Sequence, residues 1–216
     1  MDLIASLLER MAGVSQPQKK FLLTLFTTIL LLQGKVNFRN LSRYSDLSEK
    51  TYARQYRKPF DFAQFNRCLI EELSYANHER IAAIDCSFIP KSGRQTYGLD
   101  RFYDASHKQV RKGLEISTIA LIDVTTTRGY ALHTQQTPPD VELADVVAVN
   151  APTAHPRTDE FTRVDFYVSH LQAARAYLPS DVAYLVGDGY YAKLKVVEGT
   201  RAAGLHLISK LRGDAD

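Results

Sequence analysis

The chain has 216 residues, of which 24% are charged and 45% hydrophobic, with a formal net charge of +3. This length carries one good core, or a small domain before a larger one, and the composition is that of a globular protein, not a disordered or fibrous one. The net charge alone calls for no polyanionic partner. Two cysteines, Cys68 and Cys86, with no zinc spacing and no grouped histidines, exclude a disulfide scaffold and a zinc module and read as reduced thiols of a cytosolic protein.

Asp2–Ala12 has apolar residues at helical spacing, an early acid and a late arginine, which predicts an amphipathic helix. The apolar run Phe21–Leu32 covers only about a dozen residues, short of the ~20 needed to span a bilayer. No small-residue cleavage site follows it, so a buried helix is expected, opened by Ser15 and Pro17, running to about Gln33 and stopped at Gly34. Asn40–Tyr44, a break at Ser45–Leu47 and a helix Glu49–Arg57 capped by Ser48 have the outline of a helix-turn-helix. Around it Arg39, Arg43, Lys50, Arg54, Arg57 and Lys58 face only Asp46 and Glu49, and Thr51, Arg54 and Arg57 share one helix edge. That edge suits DNA phosphates better than base recognition, and a merely solvated face is the competing explanation. Asp61–Ser74 completes a helical domain, placed at residues 1–78.

The second domain, residues 79–216, opens on the stretch Arg80–Pro90, whose apolar run predicts a strand Ile81–Asp85, suited to burial on both faces and ending in Asp85, before a proline stops the run. Lys91–Lys112, rich in Gly, Ser, Tyr and cations, reads as a loop or hairpin. Gly113–Val124 and Gly129–Gln136 read as antiparallel strands around a turn at Thr125–Arg128. A helical hint at Asp140–Val147 precedes a long helix, Phe161–Leu178. Strand Val182–Gly187, helix Tyr191–Ala203 and strand Leu205–Ser209 close the series. The expected fold is therefore mixed α/β: an RNase H-like mixed sheet with flanking helices, preceded by a small all-helical domain. In that strand order the first strand neighbours the fourth, which would bring Asp85 and Asp188 to one spot.

Two carboxylates placed together repel unless a cation sits between them, and hard oxygen donors suit Mg²⁺ or Mn²⁺. A pair of such ions activates a water or 3′-hydroxyl and stabilises the leaving oxygen in phosphodiester cleavage. Gly187 and Gly189 beside Asp188 would let a substrate backbone approach closely. Each aspartate alone is equally well explained as a cap for the loop that follows. Tyr190 and Tyr191 fit either stacking on a base or core packing. No GxGxxG or GxxxxGK[ST] pattern points to a nucleotide-binding module.

The stretches AIDCSFIPKSG, KGLEISTIALIDV and YLVGDGYYAKLKVVEGTRAAGLHLISKLRGDAD resemble the catalytic region of DDE-type transposases of bacterial insertion sequences, from roughly Ile81 to the end. The helical N-terminal region is similar to the DNA-binding part of those enzymes. The resemblance implies a magnesium- or manganese-dependent endonuclease that nicks element ends and joins the freed 3′-hydroxyls to target DNA. Asp85 and Asp188 fall on its first and second metal-binding acids. The expected partners are double-stranded DNA (element ends and target) and further copies of the chain in a homo-oligomer, with no membrane, in a bacterial cytoplasm at the nucleoid. Arg54, Arg57, Lys91, Arg94, Lys112, Lys210 and Arg212 are the expected DNA contacts.

One departure stands out. The family's third acid, a Glu, lies on a helix beyond the last strand, and the sequence stops at Asp216, a few residues after Ile208. Glu198 comes too early, and Asp214 and Asp216 follow the strand directly. The expectation is a truncated or degenerate copy that performs no transposition, with a DNA-binding remnant or regulator as the alternative.

Overall fold

The computed structural model describes residues 2–73, 77–139 and 161–211. The helical hint at 140–147 and the residues Arg212, Asp214 and Asp216 lie outside these. The chain divides into two compact units, Met1–Glu72 and Leu73–Asp216.

In the first unit α1 (Asp2–Arg10), α2 (Gln16–Leu31), α3 (Phe38–Leu41), α4 (Glu49–Gln55) and α5 (Phe62–Leu73) close around Leu7, Leu8, Phe21, Leu22, Leu25, Leu41, Tyr52 and Phe65. The helix α2 starts at Gln16, with Ser15 at its N-cap and Pro17 in its first turn as predicted, and ends at Leu31, two residues before the expected Gln33. It buries one face, through Phe21, Leu22, Leu25 and Thr28, and leaves Leu30 and Leu31 exposed. The helix α4 begins where Ser48 accepts the Thr51 amide, and α3 begins where Asn37 accepts that of Asn40. Both are cap bonds that satisfy otherwise orphaned donors. Tyr52 seats α4: it is fully buried, and its hydroxyl lies 2.7 Å from Ser45 Oγ and 3.4 Å from Thr28 Oγ1 on α2.

In the second unit the strands are β1 (Arg80–Pro90), β2 (Asp100–Asp104), β3 (Gln109–Asp123), β4 (Arg128–Gln136), β5 (Tyr184–Gly187) and β6 (His206–Ser209). The helices are α6 (Arg163–Arg175) and α7 (Leu194–Ala202). The sheet order is β2-β3-β1-β5-β6, and β4 lies along the second half of β3. β1 and β3 are antiparallel along their whole contact, from Arg80↔Asp123 to Pro90↔Gly113, while β5 and β6 run parallel to β1. This is the expected RNase H-like mixed sheet, with the first strand beside the one that returns after α6.

Three local expectations change. Asp85 is not at a strand end: β3 supplies partners as far as Pro90, so Ser87–Ile89 stays extended and Asp85 sits mid-strand opposite Thr118. β1 is buried on one face only, through Ala82 and Ile84, whereas Ile81 and Ala83 are partly exposed. Lys91–Lys112 resolves into a loop and a hairpin, so β3 begins at Gln109 rather than Gly113.

The crossovers β4-α6-β5 and β5-α7-β6 advance in the same direction across the sheet, and right-handed connections put both helices on one face. That face carries Ala82, Ile84, Glu115, Ser117, Ile119, Leu121 and Leu185, against which α6 sets Tyr167, His170, Leu171 and Ala174. The opposite face carries Ala83, Asp85, Ile116, Thr118, Ala120, Ile122 and Val186, all at least partly exposed.

Candidate active site at the β1–β5 edge

Parallel pairing of β1 and β5 runs through Ala82↔Leu185, Ala83↔Val186 and Ile84↔Gly187. Asp85 and Asp188 are the next residue on each strand, and Asp188 keeps an extended backbone (φ −69°, ψ 179°). Neighbouring strands lie about 4.8 Å apart, so the two carboxylates start from adjacent positions. Side-chain alternation puts them on one side. Ile84 is buried under the helices, and a β-carbon on Gly187 would meet the Tyr191 ring on that same face at 3.0 Å. Asp85 and Asp188 therefore both point to the open face, where both are exposed.

Among the described residues the Asp85 carboxylate has no hydrogen bond or ion pair. Asp188 does act as the cap that its position allowed: Oδ1 accepts the Tyr190 amide at 2.9 Å, and its carbonyl accepts from Ser209 Oγ at 2.6 Å. Those bonds fix the aspartate without using Oδ2.

Behind the pair, on the helix face, lies a polar layer that sequence reading missed. Cys86 Sγ is 3.2 Å from the Tyr191 hydroxyl, and burial pushes its thiol up to about 11 despite that contact. Burial raises the Tyr191 phenol as well, helped by Cys86 and by the charges of Asp85 and Asp188, so both aspartates act electrostatically on one buried group. Glu115 Oε1 accepts from the Tyr167 hydroxyl at 2.6 Å and from Thr137 Oγ1 at 2.8 Å. The inward phase of Glu115 and Ser117 was legible as alternation with Ile119 and Leu121. Tyr191 is core, 2% exposed, whereas Tyr190 is partly exposed with the Lys193 ammonium 3.9 Å from its ring centre.

Lys91, Arg94, Lys112 and Lys210 are exposed. Lys112 lies on the open face with Asp85, since both residues fall in phase with Thr118. Arg54 and Arg57 are exposed in the helical unit, and Arg212 is outside the described residues. Glu198 sits exposed on α7 and does not join the aspartates. No group of three or more His, Cys, Asp or Glu side chains suited to a metal occurs among the described residues.

The family description "DDE superfamily endonuclease" matches residues 15–216. The chain belongs to that family. A search of curated proteins finds no match. Membership in the DDE superfamily endonucleases agrees with the RNase H-like sheet and gives the Asp85–Asp188 pair a chemical context, because the match spans both residues. No described helix is long and apolar enough to cross a membrane.

Proposed function

We propose that this chain is a transposase whose RNase H-like unit uses Asp85 and Asp188 to hold Mg²⁺ or Mn²⁺ at a DNA phosphodiester. The observation that carries this reading is the register that sets the two carboxylates on adjacent parallel strands, exposed on the same face. The donor set fits such an ion: both ligands are hard oxygens, and Mg²⁺ is commonly held by one or two carboxylates with waters and substrate phosphates completing its shell. When bound there, the metal would activate water or a 3′-hydroxyl and neutralise the leaving oxygen.

The chain's own groups support that role. The Tyr190 amide and Ser209 hydroxyl hold Asp188 in place, and β3 holds Asp85 through a continuous ladder. The helix-turn-helix of α3 and α4 presents Arg54, on α4, and Arg57, in the turn just after it, to DNA phosphates, and Lys91, Arg94, Lys112 and Lys210 do so from the catalytic unit. Element ends and target DNA are the substrates.

Mn²⁺ binding tests the reading without requiring turnover. Titration followed by electron paramagnetic resonance should show an ion bound to the unaltered chain. Asp85→Asn and Asp188→Asn should each abolish it while keeping the same unfolding midpoint. Retention of the ion by both variants would sink the proposal.

The absence of a third ligand among the described residues favours a second reading, a DNA-binding protein that occupies element ends without cutting them. Incubation of nicked and intact duplex with Mn²⁺ separates the two: cleavage lost in Asp85→Asn supports the transposase, and binding without cleavage supports the regulator.

A further inference from the structure

We propose that the β2–β3 hairpin is a second DNA-contacting element, which lays its open face along the duplex that flanks the phosphodiester at Asp85. The inference rests on the reading of Asp85 and Asp188 as the cleavage site and extends it to a surface some distance away.

The hairpin pairs Arg101↔Lys112 and Tyr103↔Val110 on one face and Phe102↔Arg111 on the other. The second face is occupied. Phe102 is fully buried with the Arg163 guanidinium 4.4 Å from its ring centre, and Arg111 bonds Asp104 at 2.8 Å. Among the described residues the first face is open. Arg101, Tyr103, Val110 and Lys112 are all exposed, and among the described residues no ion pair occupies the Arg101 or Lys112 side chain. The hairpin's two acids do not reach that face as free charges: Asp104 is buried among His107, Arg111 and two backbone amides, and Asp100 lies 3.8 Å from Arg163. With Lys108 at the tip, the open side is cationic with a tyrosine and a valine between the charges. That combination fits a polyanion with apolar sugar edges.

Continuity with the aspartates follows from β3. Val110, Lys112, Leu114, Ile116 and Thr118 alternate on one side of a single strand, and Thr118 is the partner of Asp85. Lys112 and Thr118 are six positions apart, which at about 3.4 Å per residue is about 20 Å, or some six base pairs of duplex. A two-stranded ribbon is also narrow enough for the ~12 Å major groove. Asp104 makes the ribbon stiff by tying the turn to both strands, so little conformational freedom remains to be lost on docking.

The test measures binding of the full chain to a fluorescent duplex of about 30 base pairs in chelator, over a KCl series. Arg101→Ala with Lys112→Ala should flatten the plot of log affinity against log salt by about 2. Arg101→Lys with Lys112→Arg should keep the original slope, and Tyr103→Ala should weaken binding several-fold with the slope unchanged. An unaltered slope in the double alanine variant overturns the proposal, as does an equal loss per cation in Arg201→Ala on α7, or failure of the unaltered chain to bind the duplex at all. Unfolding midpoints confirm that each variant is folded. Mn²⁺ binding by the hairpin variants should stay as in the unaltered chain, so failure here and failure of the Asp85–Asp188 reading give different results.

Discussion

Gly113 lies directly against Phe88 across the β1–β3 ladder: a β-carbon at 113 would fall 2.4 Å from the Phe88 ring and 2.6 Å from the Ile89 carbonyl oxygen. Glycine is therefore required by close approach, at the point where the hairpin leaves the main sheet. Gly113→Ala should cost about 3 kcal/mol, the range of a severe overpacking. Adding Phe88→Leu should not restore stability, because the Ile89 carbonyl is backbone and cannot move aside. Urea midpoints of the two variants check this, and full recovery in the double variant would contradict it.

Gly199 makes the contrasting case. Its missing β-carbon would meet Val168 Cγ1 at 2.4 Å where α7 crosses α6, and here the obstacle is a side chain. Gly199→Ala alone should destabilise by about 2 kcal/mol. Val168→Ala with Gly199→Ala should recover at least half of that, since alanine gains roughly 1 kcal/mol of helix propensity over glycine once the clash is gone. A double-mutant cycle with no coupling would show that the helices do not meet at this pair.

How much of this was legible in the sequence differs from element to element. Ser48 before Glu49 and Pro17 after Ser15 mark their helix starts, because caps are local chemistry. The adjacency of the strands that carry Asp85 and Asp188 was also legible, because the order of strands and helices is that of an RNase H-like sheet, in which the first strand neighbours the one that returns after the long helix. The length of β1 was not. Phe88 and Ile89 favour a strand, but what carries β1 past Asp85 is its partner, through residues of β3 far along the chain. The same holds for Asp188: its roles as loop cap and as exposed carboxylate are compatible, because the cap uses one oxygen. The polar layer of Glu115, Ser117 and His170 stayed hidden because its partners come from separate elements.

His170 should make folding sensitive to mild acid. It is 1% exposed, with Nδ1 2.9 Å from Ser117 Oγ and Nε2 2.8 Å from His133 Nδ1. Burial, reinforced by His133, lowers its pKa to about 4. An unfolded histidine titrates near 6.5, so the native state is fully favoured above that value and loses stability as pH falls from about 6.5 towards 4. The loss is on the order of 3 kcal/mol. Asp123 acts in a separate, lower window. Burial would raise it, but hydrogen bonds from His78 and Thr126 outweigh that and hold it at about 2, so its contribution disappears only below 3.8. In His170→Gln the fall between pH 6.5 and 4 should shrink while the lower one remains. Unfolding free energies across pH give both, and an unchanged upper window would rule out His170 as its source.

The basic helix of the first unit predicts a separation of stability from binding. Ser48 caps α4, and Ser48→Ala should cost about 1 kcal/mol of stability, the usual value of a lost N-cap. Arg54 and Arg57 are exposed and make no ion pair among the described residues, so Arg54→Ala with Arg57→Ala should leave the unfolding free energy within about 0.5 kcal/mol. If the two arginines contact phosphates, the same double variant should flatten the salt dependence of duplex binding by about 2 and weaken all sequences alike. Measured together, unfolding and binding isotherms distinguish a solvated face from a DNA-contacting one. A solvated face would leave both quantities unchanged, and α4 would then have no part in holding DNA.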